Sequence, residues 1–172
     1  PIVPRGLGVE EGAVASRTIR APRDISFESQ TLTERRQEEA AAAVPQVVTF
    51  DPGVASAQQS ELNGLLARVR SVLADSNPDA RPPALGRIDK LTLSGGSTQL
   101  LRTMTPDSFL SIEAESRRAL ASIFNLSFSP DEVQSIREQA ISYVDPFLSR
   151  EASILVAELV RPFITSNQVV DT

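Results

Sequence analysis

The 172-residue sequence has no cysteine, no histidine and no tryptophan, and Lys90 is its only lysine. Without cysteine the chain forms no disulfide and offers no thiolate nucleophile or Cys-based zinc site. Without histidine it has no imidazole for a Ser-His-Asp triad or for general-base catalysis near neutral pH. These absences exclude several large enzyme classes, and we expect a non-catalytic chain that binds neither a metal nor a cofactor.

Long apolar runs and an excess of positive charge are also absent. No run approaches the roughly 20 residues that a membrane-spanning helix needs. The formal net charge is −5, whereas a nucleic-acid binder needs a basic surface to neutralise phosphates, so nucleic acid is not an expected partner. Apolar residues still make up 41% of the chain, which predicts a folded globular protein rather than a disordered tail.

Residues 17–75 are predicted to form strand, helix, strand and helix, after an extended lead-in at 1–16. Ile25–Phe27 alternates apolar and polar side chains, which is typical of a short strand. Thr31 has the spacing of a capping box, although the helix also has a plausible start one turn earlier. That helix must end before Pro45, because proline cannot continue its hydrogen-bond ladder.

A second strand and helix follow. The β-branched and aromatic residues of Gln46–Phe50 predict a strand. Asp51 followed by Pro52 is an N-cap signal with proline at the first helical position. The helix that follows has one apolar stripe with i, i+3, i+4 spacing, formed by Leu62, Leu65, Leu66, Val69, Val72 and Leu73.

The rest of the chain is predicted to be mainly helical. Residues 76–97 are rich in proline and glycine and are interpreted as a linker. Residues 98–161 contain cap signals at Thr105-Pro106 and Ser129-Pro130, each followed by an apolar stretch. Gln168–Val170 is predicted as a final short strand. The fold class is therefore α+β and predominantly helical, with a small sheet formed by short strands near the two chain ends.

Several side chains suggest chemistry, and each has a simpler structural explanation. Carboxylates at Asp51, Asp107, Asp131 and Glu132 are better explained as helix caps and first-turn acids than as catalytic or metal-binding pairs. Ser94–Thr98 lacks the lysine of a phosphate-binding loop, so a flexible loop is favoured over an anion cradle. Four aromatic residues are candidate pocket-lining side chains, although core packing is the favoured explanation: Phe109, Phe124, Tyr143 and Phe147.

Two segments resemble a known family. They are Ala15–Asp24, with its Ile-Arg-Ala-Pro-Arg-Asp stretch, and the continuation from Thr31 to Val48, with the pattern Thr-x-x-x-Arg before Glu-Ala-Ala and Val-Pro-x-Val. Both are similar to the extracellular domain of bacterial seven-transmembrane receptors that carry an intracellular HD-type phosphohydrolase. Arg161–Thr172 is similar to a later segment of the same family, so residues 167–172 are interpreted as the start of a truncated second repeat.

The resemblance implies that residues 1–172 form a single extracytoplasmic sensing domain of a membrane protein whose cytosolic HD domain hydrolyses cyclic di-AMP. The chain begins at Pro1, without a signal peptide, and we expect the membrane anchor to lie outside it. Expected partners are an unidentified small ligand or envelope protein, the receptor's own transmembrane region and a second copy of the chain. The alternative function is an envelope protein–protein interaction or dimerisation module.

The same resemblance implies that both chain ends approach the membrane. We therefore expect Ile25–Phe27, Val47–Phe50 and Gln168–Val170 to share one small sheet. We also expect Arg20, Arg23 and Arg161 to lie near lipid head groups or the membrane part of the receptor, because a few basic residues are attracted to that surface. The ligand site itself is expected among the helices of residues 98–160.

Overall fold

The computed structural model describes residues 34–39 and 48–170. By its contacts the chain divides into two units, Pro1–Pro45 and Gln46–Thr172. The single sensing domain expected from the sequence stays a prediction. Within the first unit, residues 34–39 form a helix, α1, with every side chain exposed. The predictions for the lead-in, the strand Ile25–Phe27, the cap at Thr31 and the arginines Arg20 and Arg23 lie outside the described residues.

The second unit contains six α-helices and two short strands among its described residues. They are β1 (Val48–Phe50), α2 (Pro52–Leu73), α3 (Arg81–Leu85), α4 (Gly95–Thr103), α5 (Pro106–Phe124), α6 (Val133–Glu138), α7 (Arg150–Val160) and β2 (Gln168–Val170). Short 3₁₀ turns occupy Pro130–Glu132, Ala140–Tyr143 and Arg161–Phe163. The fold is therefore largely helical with a two-stranded sheet, as the sequence predicted.

The strands β1 and β2 form the small sheet. They pair antiparallel, with Val48 opposite Val170 and Phe50 opposite Gln168. The backbone N–H of Asp51 then donates to the carbonyl of Asn167 at 2.9 Å, which continues the pairing into the start of α2. This pairing confirms the expected sheet for Val48–Phe50 and Gln168–Val170.

The core forms where α5 packs against both α2 and α7. The predicted stripe of α2 faces it, since all of its members except the half-buried Val72 are buried. The largest fully buried side chains come from several elements and include Leu62, Leu66, Leu101, Phe109, Leu120, Phe128, Leu155, Leu159 and Phe163. Each such residue contributes about 1.5–3 kcal/mol by leaving water, so helix packing provides most of the stability.

Residues 76–97, predicted as a linker, contain α3 and the start of α4. Pro82 lies in the first turn of α3, where a missing N–H costs nothing. Leu85 is buried, and Ile88, Leu91 and Leu93 pack against the core. A proline-rich composition was misleading here, because prolines are tolerated at helix starts.

Polar contacts fasten α2 to α5. Glu113 is 2% exposed and forms ion pairs with Arg70, at 3.0 Å, and with Arg117, at 3.3 Å. Arg117 also donates from Nε to Asn63 Oδ1 at 2.6 Å, and its carbonyl accepts from Gln59 Nε2 at 2.9 Å. Both arginines remain partly solvated while the carboxylate is enclosed, so the pair of arginines compensates one buried negative charge.

A second polar contact joins α5 to the loop before α7. The Glu115 carboxylate accepts from Arg118 Nε at 2.8 Å and from the backbone N–H of Asp145 at 2.7 Å. Arg118 also donates to the carbonyl of Tyr143 at 3.0 Å. The hydrogen bond from Arg118, helped by that from Asp145 and opposed by burial, lowers the pKa of Glu115 below its ordinary value.

Glu115→Gln should therefore make the protein less stable at pH 7 by about 1 kcal/mol, because charge-assisted bonds become neutral ones. Because the pKa of Glu115 is lowered in the folded state, its carboxylate stabilises the protein at pH values above the ordinary glutamate pKa of about 4.3. This stabilisation is lost as the pH falls through the pKa that Glu115 has in the folded state. The difference between wild type and variant should thus shrink below about pH 4. Urea unfolding at several pH values measures it.

Glu61→Gln is the matched control, since Glu61 pairs with Lys90 at the surface with 47% of its side chain exposed. Exposed pairs contribute little, so this variant should stay close to wild type at every pH. Equal urea midpoints for the two variants at pH 7 would contradict a stabilising role for Glu115.

Candidate functional site

A groove lies where α6, the end of α7 and the segment before α4 meet. Its volume is about 710 Å³, within the range of small-molecule sites, roughly 300–1,000 Å³. The lining combines two arginines, two glutamates, a glutamine, two hydroxyl residues and two apolar side chains: Thr92, Leu93, Ser94, Gln134, Arg137, Glu138, Glu158, Arg161 and Pro162. Four of these nine side chains are charged, and the charges are balanced in sign.

Two arginines line this groove, and each is hydrogen-bonded to a backbone carbonyl. Arg137, on α6, donates from Nε to the carbonyl of Ile164 at 3.0 Å. Arg161, at the turn after α7, donates from Nε to the carbonyl of Arg137 at 3.1 Å. Each bond uses the Nε edge of a guanidinium, so the Nη donors of both arginines are not engaged by these carbonyls.

The start of α4 contributes the opposite wall. Ser94 is the N-cap of α4, and its Oγ accepts from the N–H of Ser97 at 3.3 Å. Both carboxylate oxygens of Glu158 lie 3.2 Å from the backbone nitrogen of Ser94. A negative group is favourable at the positive end of a helix, so the protein's own Glu158 occupies the position that an external anion would take.

The prediction of a flexible loop at Ser94–Thr98 is therefore wrong. The segment begins a helix, because serine caps the first turn and glycine is tolerated there. The carboxylate at this helix start belongs to Glu158, 64 residues further along the chain, and it contacts the backbone nitrogen of Ser94. The anion cradle itself stays a prediction.

Of the four aromatic residues predicted as pocket lining, Phe124 borders a cavity that we describe, and the other three stay a prediction. Phe109 has 0% exposure and lies in the core, and Tyr143 is half-buried. Phe147 is 95% exposed on the turn before α7. Phe124 is buried but borders a separate cavity of about 300 Å³ beside Phe50 and Pro52. Aromatic composition alone does not distinguish these environments, because each depends on the packing of distant helices.

The predicted helix caps are confirmed. Asp51 Oδ1 accepts from the N–H of Gly53 at 2.8 Å, and Asp107 and Asp131 lie in first turns. The Glu132 carboxylate accepts from the N–H of Ser129 at 2.8 Å, and this bond, with one from the Ser129 hydroxyl, lowers the pKa of Glu132. Over residues 34–39 and 48–170, no three acidic side chains converge as a metal site would require.

Arg161 is the one predicted membrane-proximal arginine that falls in the described part of the chain, and it lines the groove. Its proximity to lipid stays a prediction. Sequence reasoning missed Arg137, Glu158 and Gln134 as site residues. No local pattern marks them, because the groove joins three segments that are far apart in the sequence. Across the residues that the structure describes, no helix is both long and apolar enough to span a bilayer.

Comparison with known proteins gives one match. A protein-family profile described as 7TM-HD extracellular matches residues 10–172, which is nearly the whole chain and includes every element of the groove. Neither a curated protein nor a solved structure matches the chain significantly.

Proposed function

We propose that this chain, which belongs to the 7TM-HD extracellular family, is the non-catalytic sensing domain of a membrane-bound receptor with a cytosolic HD phosphohydrolase. That enzyme hydrolyses cyclic di-AMP in our proposal, and this domain lies on the extracytoplasmic face of the bacterial membrane. The family match over residues 10–172 is the observation that carries the proposal. The chain has no histidine, so the histidine ligands of an HD metal site belong elsewhere in the receptor.

The groove supports a mechanism for sensing. Arg137 contacts the carbonyl of Ile164, and three residues later the buried Asn167 begins the connection to β2. A ligand that holds Arg137 therefore acts on the segment that leads to the end of the domain. It shifts the receptor between two states only by its difference in affinity for them, and coupling of about 1–3 kcal/mol, or 5–150-fold, is typical.

The test combines a screen with an activity measurement. A ligand library is first screened against the 172-residue chain, in which a true ligand raises the melting temperature as its concentration rises. Hits are then added to the full-length receptor in vesicles, and cyclic di-AMP hydrolysis is followed. We expect the rate to change at saturating ligand. An unchanged rate for every saturating hit would contradict a sensing role.

Exposed apolar side chains support one alternative, an interaction or dimerisation module. Val48 and Phe50 share one face of the small sheet and are 46% and 44% exposed, and Phe50 borders the cavity of about 300 Å³. Clustered apolar surface of this kind is common at protein interfaces. A solution mass that rises with concentration, together with no response to ligands, is the result that favours this alternative.

A further inference from the structure

The two arginines of the groove have unused hydrogen-bond donors. Among the described residues neither Arg137 nor Arg161 forms an ion pair with a carboxylate. Each uses only Nε, on a backbone carbonyl. A guanidinium has five N–H donors, so each side chain retains four, arranged in the planar fork that matches a carboxylate.

The neighbouring glutamates do not neutralise these forks, because other groups hold them. Glu158 is held by the backbone nitrogen of Ser94. Glu138 accepts from Gln134 Nε2 at 3.1 Å through Oε1, which leaves Oε2 available. The lining thus carries two positive and two negative charges in separate places. Such a balance disfavours a polyanion, which the glutamates repel, and favours a ligand that carries both signs of charge.

We propose that the groove binds a small zwitterion with a free carboxylate, in the class of amino acids and short peptides. The carboxylate is received by the Nη donors of Arg137 and Arg161, and the ammonium group by Glu138. The volume of about 710 Å³ accommodates a dipeptide or tripeptide. Leu93 and Pro162 supply the apolar surface for its side chains. This assignment rests on the proposed sensing function and names its class of ligand.

Calorimetric titration of the 172-residue chain tests the ligand chemistry. The probes are glycine, dialanine, trialanine, trialanine amide, N-acetyl-trialanine and inorganic phosphate. We expect saturable binding of at least one free peptide or of glycine. Amidation of the carboxylate should weaken the binding of trialanine at least about tenfold, which corresponds to the low end of the energy of a charge-assisted hydrogen bond. Acetylation should weaken it less, because Glu138 is exposed and its attraction is screened.

The matching variant is Arg137→Gln/Arg161→Gln, and the control is Arg150→Gln, an exposed arginine at the start of α7 outside the groove. The double variant should bind trialanine about tenfold more weakly or worse, the same factor as amidation of the peptide. Amidation should then not weaken binding to the double variant any further, as a double-mutant cycle requires. Arg161→Lys should also weaken trialanine, because an ammonium lacks the fork. Circular dichroism melts of the unliganded variants verify that they fold. If the double variant unfolds, Arg161→Lys still tests the fork, because it retains the positive charge.

Three results would overturn the proposal. They are no saturable binding by any free amino acid or peptide probe, equal binding of trialanine and its amide, and tighter binding of phosphate than of trialanine. Failure here is separable from failure of the sensing function. If peptides bind as expected but leave the receptor's hydrolysis rate unchanged, the site stands and the sensing role falls. If peptides do not bind while another ligand changes the hydrolysis rate, the sensing role stands and the peptide site falls.

Discussion

Replacing Arg81 by methionine should lower the free energy of unfolding by about 3 kcal/mol and the melting temperature by about 6–12 °C. Arg81 is only 8% exposed, and within the described part of the chain it forms no ion pair with a carboxylate. Its guanidinium instead donates to carbonyls at two helix ends. At the end of α2 it contacts Leu73 at 2.9 Å and Asp75 at 2.9 and 3.2 Å.

At the end of α4 the same side chain contacts the carbonyls of Arg102, at 2.9 Å, and Met104, at 2.8 Å, with a longer bond to Leu101. The last carbonyls of a helix have no partner within the helix and carry the negative end of its dipole. One cation therefore satisfies both ends and fastens α2 to α4. Methionine fills a similar volume but leaves these partly buried oxygens unpaired, at about 1–3 kcal/mol for each that water does not reach.

Urea unfolding followed by circular dichroism measures the effect. Arg87→Met is the control, because Arg87 lies six residues away on the exposed surface and loses the same charge. We expect it to change stability by less than about 0.5 kcal/mol. Arg81→Lys should recover less than half of the loss, since one ammonium cannot reach both helix ends. If Arg81→Met and Arg87→Met unfold at the same urea concentration, the two-helix cap does not stabilise the fold.

The second large effect is expected at Asn167, which is 0% exposed. Its Oδ1 accepts from the N–H of Phe128 at 3.0 Å, and its Nδ2 donates to the carbonyl of Leu126 at 2.7 Å. The side chain thus pairs with one backbone carbonyl and one backbone N–H of the loop after α5, in which Leu126 is exposed and Phe128 is buried. Asn167→Ala leaves them unpaired and should cost about 2–4 kcal/mol.

Asn167→Asp tests the donor role of this side chain separately from its acceptor role. The carboxylate still accepts from Phe128, but it places a second oxygen against the Leu126 carbonyl without a proton between them. Only the neutral acid donates there, so the folded state raises the pKa of the new aspartic acid. The variant should therefore be least stable relative to wild type at neutral pH and should approach wild type as the pH falls, because ionisation of this carboxyl group destabilises the fold, whereas ionisation of Glu115 stabilises it.

Thermal unfolding between about pH 3 and pH 7 tests both variants, since this range spans carboxyl titration. Asn125→Ala is the control, because Asn125 lies exposed at the end of α5. Amide hydrogen exchange gives a local readout. Asn167→Ala should speed exchange at Phe128, where the acceptor is lost. Unchanged protection at this position would contradict the role assigned to Asn167.

Local sequence determined where α2 and α5 begin, and which face of α2 is buried. The cap at Asp51, the capping box at Ser129 and the stripe of α2 all depend on residues within four positions of each other, and each appears where it was predicted. The strands β1 and β2 follow from β-branched composition in the same way. The absence of histidine and cysteine by itself excludes whole classes of catalysis, because no fold can supply an imidazole or a thiolate that the chain does not contain.

Tertiary structure alone decided what the charged and aromatic side chains do. Arg81 is buried because two helix ends meet around it, and the groove exists because Ser94, Arg137 and Glu158 come together from segments tens of residues apart. Phe109 and Phe147 look alike in the sequence, yet one has no exposure and the other 95%. Helix caps and apolar periodicity are local patterns, and they specify contacts within one helix or strand. Burial and charge compensation depend on which helices and strands pack together, and only the folded chain establishes this packing.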